Sequence, residues 1–264
     1  MVVTGLEDRV ALVTGAGSAA GIGFATARLL AAQGARLAIT STTARIFERL
    51  EELPGGGKRH VAVVADLTEA DAADRLVAEA RRGLGAIDIL VNNAGMTQTG
   101  QPDRSSLFHL TSDAEWAGKI ELNLTTAFRV TRAVLPDMMD RRYGRIVHIA
   151  SVTGPLVSNP HSTGYSAAKA GMVGMTRALA MEVADKGITV NAVAPGWIAT
   201  ASSSKEEITA GENTPVGRPG SAEEVGYVAA FLASEGASYL TGQMIVVDGG
   251  NSIQEYKGPA EGYY

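Results

Sequence analysis

The sequence predicts an α/β protein with one doubly wound, seven-stranded parallel sheet and helices on both faces. Three observations lead there. Short β-rich runs alternate with longer, Ala-rich segments of helical period along the whole chain. Runs such as Val10-Ala11-Leu12-Val13 and Ile146-Val147-His148-Ile149 are almost continuously apolar, as strands covered on both faces must be. A glycine-rich turn, Thr14 to Gly23, joins the first run to the first helical segment.

The elements follow in order. A strand over 9–14 passes through the glycine turn into a helix over 21–33. A strand over 36–40 leads to a helix over 43–53, which Pro54-Gly55-Gly56-Gly57 ends in a turn too short to separate domains. A strand over 60–65 precedes a helix over 69–83, and a strand over 88–91 precedes a helix over 112–140. A strand over 145–150 leads to a helix over 163–185. A strand over 188–194 leads to a helix over 221–234, and a strand over 243–247 closes the sheet. Right-handed crossovers between parallel strands place the helices on both faces. Two stretches, 96–110 and 199–219, fit the alternation poorly. Both follow strand ends on the side where open α/β sheets bind ligands, so they are expected to be substrate loops. No solenoid-period repeat or low-complexity linker interrupts the pattern. One domain is therefore expected over 1–264, with a loosely held tail over 251–264.

Composition narrows the function. The 264 residues carry 23 Lys and Arg against 28 Asp and Glu, a net charge of −5. That balance argues against a phosphate-tracking nucleic-acid binder. With 45% hydrophobic residues the chain is globular, and with no cysteine it has no disulfide, thiolate metal site or cysteine nucleophile. His60, His109, His148 and His161 form no close metal-ligand pattern, so no metal is expected. No apolar run approaches the roughly 18 residues of a membrane helix, and the start MVVTGLEDRV lacks a signal-peptide pattern. A soluble, cytoplasmic protein without a membrane partner is the expectation.

The turn Thr14-Gly15-Ala16-Gly17-Ser18-Ala19-Ala20-Gly21-Ile22-Gly23 lies where a dinucleotide pyrophosphate meets a helix N-terminus. Asp66-Leu67 follows the third strand, Asn92-Asn93-Ala94-Gly95 ends the fourth, and Pro195-Gly196 follows the sixth, with Ile198 and Thr200 just beyond. Each alone reads as turn chemistry. In this order, at successive strand ends, they resemble the short-chain dehydrogenases/reductases of classical type, whose fold is the Rossmann fold. The resemblance spans nearly the whole chain. It implies that Gly15, Ser18, Gly21, Ile22 and Gly23 face the pyrophosphate and that Asp66 and Leu67 contact adenine. It also implies that Asn93, Ala94, Gly95, Pro195, Gly196, Ile198 and Thr200 lie along the rest of the cofactor. The chain departs from the family at one point. Five residues rather than three separate Thr14-Gly15 from Gly21-Ile22-Gly23, which leaves open whether Gly17, Ser18 or Ala19 touches phosphate.

Tyr165-Ser166-Ala167-Ala168-Lys169 puts a phenol and an ammonium one helical turn apart, projecting from one face. A phenol of ordinary pKa, about 10, is a poor proton donor or acceptor at neutral pH, and a nearby cation favours its ionised form. Ser151 directly follows the fifth strand, where its hydroxyl could hold a carbonyl oxygen beside that phenol. Asn123 sits inside the helix over 112–140, although Asn is a poor helix former. These four match the family's catalytic set in its order. The resemblance implies that Lys169 also holds the nicotinamide ribose and that Asn123 holds a water linking the lysine to solvent. It implies too a homotetramer paired through the helices 112–140 and 163–185. Small residues at Ala167, Ala170, Gly171, Gly174 and Ala178 would allow close approach there, although the same face could instead pack on its own sheet.

The second strand ends Thr40-Ser41-Thr42-Thr43-Ala44-Arg45, with no acid until Glu48. An NAD site normally holds the ribose hydroxyls with a carboxylate at this point. Hydroxyls at Ser41, Thr42 and Thr43 with a cation at Arg45 predict NADP(H) in preference to NAD(H). The reading is an oxidoreductase that moves hydride between NADP(H) and a small ketone or alcohol, a carbonyl reductase or 3-oxoacyl-type reductase. The alternatives are an NAD-dependent secondary-alcohol or polyol dehydrogenase and a nucleotide-binding relative without catalysis. A serine hydrolase is disfavoured, because Gly164-Tyr165-Ser166-Ala167-Ala168 lacks the second glycine of a nucleophile elbow.

Overall fold

The computed structural model describes residues 5–95 and 106–258. Seven strands form one parallel sheet in the order β3-β2-β1-β4-β5-β6-β9. They are β1 Val10–Val13, β2 Arg36–Ser41, β3 Val61–Val64, β4 Ile89–Asn92, β5 Gly144–Ile149, β6 Ile188–Pro195 and β9 Met244–Val247. The remaining two, β7 Ile198–Ala199 and β8 Gly220–Ser221, pair with each other in parallel outside the sheet. The helices are α1 Ile22–Ala32, α2 Arg45–Glu51, α3 Ala72–Leu84, α4 Asp113–Ile120, α5 Thr126–Arg141, α6 Thr163–Val183, α7 Lys205–Glu212 and α8 Ala222–Leu232. Among the described residues no helix is long and apolar enough to cross a membrane.

Alternation along each strand divides the core between the two faces. Ala11 and Val13 of β1 join Leu37, Ile39 and Val193 beneath α1 and α8. Val10 and Leu12 join Leu90, Ile146 and Val190 beneath α3, α5 and α6. A buried leucine such as Leu12 or Leu90 contributes roughly 2–5 kcal/mol on Leu→Ala replacement, so this layer dominates stability. Helices α1 and α8 approach so closely that a Cβ on Gly226 would stand 2.9 Å from Leu29 Cδ1.

The chain runs from β1 to β3 in one direction and returns to place β4 beside β1. That reversal opens a crevice between the carboxyl ends of β1 and β4, the point at which such sheets bind ligands. Thr14 knits its two lips together. Its Oγ1 accepts from the backbone N–H groups of Asn93 and Ala94, both at 3.0 Å.

The predicted strands and most predicted helices are present, and four features differ from the sequence reading. The helix expected over 112–140 is three pieces, because a π-helical turn, Glu121–Thr125, separates α4 from α5. The stretch 199–219 contains α7 and begins at the last residue of β7. The tail through Gly258 is folded back rather than loose. Asp248 accepts from Gly250 N at 3.0 Å and Ser252 N at 2.7 Å, and Gln254 Nε2 donates to Asn213 O at 3.2 Å. Lastly, the two additional residues of the glycine turn sit at the tip of an exposed β-turn, closed by Gly21 N donating to Ser18 O at 3.0 Å. The expected substrate-loop residues 96–105 lie outside the described residues.

Candidate active site

One cavity of about 1040 Å³ runs across the carboxyl ends of the strands. Its first half is built by the glycine turn and the ends of β2, β3 and β4. Gly15, Gly17, Ser18, Gly21 and Ile22 line it, whereas Ala19 and Ala20 do not. Gly15 has φ +69°, and a Cβ there would meet Ala94 Cα at 2.9 Å. Only glycine lets the turn pass this close to the β4 lip. Gly23 stands behind the lining, where a Cβ would lie 2.4 Å from Asn93 Nδ2; its place is the packing of α1 on the β4 turn. No side chain caps α1 at Gly21 and its first turn holds no acid. Its leading N–H groups and the positive end of its dipole are therefore offered to an anion.

Ser41, Thr42 and Arg45 line the same half. Ser41 Oγ donates to Thr43 O at 2.9 Å. Arg45 Nε and Thr43 Oγ1 are buried with no hydrogen-bond partner, an unusual cost for polar atoms. Gly17 leaves room for the guanidinium, since a Cβ there would be 2.8 Å from Arg45 Nε. An uncapped helix end and an unpartnered arginine donor fit a phosphorylated dinucleotide. Asp66, Leu67, Asn93, Ala94, Gly95, Pro195, Gly196, Ile198 and Thr200 also line the cavity. Asp66 Oδ1 accepts from Thr68 N at 3.0 Å and Thr68 Oγ1 at 2.7 Å, which fixes the carboxylate after β3.

At the other half, Ser151, Tyr165 and Lys169 come together. Lys169 is buried, with Nζ donating to Ile149 O at 2.9 Å and lying 5.7 Å from the centre of the Tyr165 ring. Burial pushes its ammonium down to about 8. The sequence reading has this lysine drawing the phenol down, and here the structure differs. Desolvation raises the Tyr165 phenol most, the hydrogen bond with Ser151 lowers it, and the Glu207 carboxylate raises it further. The lysine's own charge is penalised by the same burial and directed at a backbone carbonyl.

Asn123 is fully buried rather than on a surface face, and it does not line the cavity. It sits in the π-helical turn, where Nδ2 donates to Lys119 O at 3.1 Å. Its Oδ1 would be 3.0 Å from a Cβ placed on Gly95, so it backs the β4 lip. Such turns displace a backbone carbonyl from the regular ladder, and a side-chain amide at Asn123 satisfies one.

Beyond Tyr165 the cavity is lined by Trp116, Val157, Trp197, Glu207, Asn213, Gln254 and Lys257, among others. Val157 and Trp197 form part of its apolar wall, whereas Leu156 is exposed outside it. Trp116, Glu207 and the tail residues are absent from the sequence reading. The signal for Glu207 is Ser204-Lys205-Glu206-Glu207, the Ser-x-x-Glu pattern that opens a helix. Among the described residues no group of three or more acidic, His or Cys side chains is arranged to hold a metal.

A family model described as enoyl-(acyl carrier protein) reductase matches residues 15–252. Nodulation protein G of Rhizobium sp. (strain N33) is 45% identical, over 93% of this chain and 97% of its own. The 3-oxoacyl-[acyl-carrier-protein] reductase FabG of Escherichia coli (strain K12) is 40% identical, over 92% and 97%. Oxidoreductase UcpA of Salmonella typhimurium is 39% identical, over 95% and 97%.

Proposed function

The chain belongs to the short-chain dehydrogenase/reductase family and is an NAD(P)-dependent oxidoreductase; from that premise we propose an NADP(H)-preferring reductase of ketones with Tyr165 as its proton donor. One observation carries the reading. Ser151, Tyr165 and Lys169 gather at one end of a single cavity whose other end is the open, glycine-lined helix terminus. When bound, the nicotinamide dinucleotide supplies the hydride that reaches the carbonyl carbon. Tyr165 Oη gives its proton to the carbonyl oxygen during reduction and takes it from the alcohol in the reverse direction. Ser151 Oγ holds that oxygen beside the phenol. Lys169 binds the ribose side of the cofactor. Asn123 keeps the β4 lip and the π-helical turn in place and supports proton resupply. Positioning and local electrostatics lower the barrier, with no covalent intermediate on the chain.

The preference for NADP(H) rests on the unpartnered Arg45 Nε beside Ser41 and Thr42, with no carboxylate at the end of β2. Comparing kcat/KM for both cofactors tests it. NADPH wins in the wild type, and Ser41→Asp removes most of the advantage by setting a carboxylate against the 2′-phosphate; a wild-type preference for NADH refutes the assignment. A 3-oxoacyl thioester belongs first in the substrate panel, because relatives that match nearly the full chain carry that activity in their names. Tyr165→Phe should lower turnover of the best ketone at least ~100-fold while leaving cofactor affinity within a few-fold. Near-normal turnover in that variant excludes the mechanism.

We also propose a homotetramer paired through α5 and α6. Three of the five small residues of α6 do not pack on the chain's own sheet. Ala170, Gly174 and Ala178 are exposed, while Ala168, Met172, Thr176 and Ala180 take the buried face.

A further inference from the structure

Helix α7 brings Glu207 into the cavity that Ser151 and Tyr165 line. A reciprocal cap fixes its position. Ser204 Oγ accepts from Glu207 N at 3.2 Å, and Glu207 Oε2 accepts from Ser204 N at 2.8 Å. The other carboxylate oxygen, Oε1, has no protein donor among the described residues. The other charged or titratable side chains lining this cavity are Glu115, Lys119, His161, Lys169 and Lys257, with Arg45 and Asp66 at the cofactor end. Glu115 is engaged by Ser106, from N at 2.9 Å and from Oγ at 3.0 Å. Lys169 is committed to Ile149 O. Desolvation raises the Tyr165 phenol most, and the Glu207 carboxylate adds to it in the same direction, favouring the neutral, proton-donating form. A second anion brought beside the reacting carbonyl would meet this charge and be repelled by it. A neutral or cationic hydrogen-bond donor would meet an acceptor already held in place.

We propose that Glu207 is a specificity-determining residue of this site. Its carboxylate accepts a hydrogen bond from a hydroxyl or ammonium group carried next to the reacting carbonyl, and it excludes substrates with a carboxylate there. The inference rests on the ketone-reductase reading above and names the class of ketone that site takes.

The test compares hydroxyacetone, pyruvate and butanone, matched in size, as substrates of the whole enzyme with its preferred cofactor. The wild type should favour hydroxyacetone over pyruvate in kcat/KM. Glu207→Gln should shrink that ratio at least tenfold, because the amide removes the charge while its oxygen still accepts from Ser204 N, as Gln does in this kind of cap. The same substitution should move the apparent pKa of the alcohol-oxidation limb downward, since a charge that favours the neutral phenol is gone. Ser204→Ala weakens the same helix start but keeps the charge, so it should leave the ratio at the wild-type value. An unchanged ratio in Glu207→Gln, an equal shift in Ser204→Ala, or a wild type that prefers pyruvate or treats the two alike overturns the inference. Turnover of butanone or a 3-oxoacyl thioester in that event leaves the reductase reading standing. No turnover of any carbonyl ends both.

Discussion

At the scale of single residues, the site spends stability on function. Lys169 is buried with its ammonium pushed down to about 8 from an ordinary 10.5. The unfolded chain keeps this proton up to about pH 10, and the folded chain releases it near 8. Between those values the unfolded state binds more protons, so stability rises with pH across that window and is lowest, for this group, below pH 8. Lys169→Met should therefore stabilise the protein at pH 7, by an amount on the order of 3 kcal/mol at most, while abolishing turnover. Denaturant melts at pH 7 and 9.5 check this. The wild type should gain stability between them and the variant should not, and a variant less stable than wild type at pH 7 would contradict it. His148 works in the same sense at lower pH. Burial and the nearby lysine hold it down to about 4, so stability should fall as pH drops from 6.5 toward 4. Flattening of that acid limb in His148→Gln is the corresponding measurement.

At the scale of elements, the glycine turn separates what is structural from what is spacing. Its two additional residues, Ala19 and Ala20, are exposed at the tip of a β-turn and touch nothing in the cavity. Removing both should change cofactor affinity by less than about threefold, because Ser18 and Gly21 already approach across the turn. Gly17→Ala should weaken NADPH binding at least tenfold, since its Cβ would lie 2.6 Å from Ser41 Cβ and 2.8 Å from Arg45 Nε. Titration of cofactor fluorescence distinguishes the two; equal losses would mean that turn length, not the Ser41–Arg45 contact, governs affinity. The same turn shows what the sequence made legible. Strand alternation and strand-end motifs are local signals, and they located the sheet, the crevice and Ser151, Tyr165 and Lys169. The π-helical turn left no such mark. Glu121–Thr125 has ordinary helical side chains around Asn123, and the turn packs against α6, with Leu124 beside Gly171. The tail was opaque for a related reason. Gln254 and Asn213 meet only after the chain has folded, and nothing in their spacing announces it.

At the scale of the whole molecule, the face of α6 opposite the sheet gives the assembly a test whose sign differs between the alternatives. Gly174 is exposed, and a Cβ there would meet nothing within 4 Å. Around it lie exposed Ala170 and Ala178, with Met181 one turn further and Phe128 exposed on α5. In an isolated chain, glycine in the middle of a 21-residue helix costs about 1 kcal/mol relative to alanine. Gly174→Glu in a monomer should then gain most of that amount and raise Tm, because glutamate is a good helix former with open water before it. If the face closes on a second copy, the same change puts a charge where two helices must approach, and like charges face each other across the two-fold axis. The loss of contact outweighs the gain in propensity, since a stable interface buries on the order of 800 Å² from each partner. The proposed tetramer therefore predicts a lower Tm for Gly174→Glu together with a smaller mass by light scattering. Gly174→Ala, which adds one methyl group, should keep the wild-type mass. A monomeric wild type, or a Gly174→Glu variant that melts higher at unchanged mass, would show instead that this helix face is solvated and that the small residues serve no contact between copies.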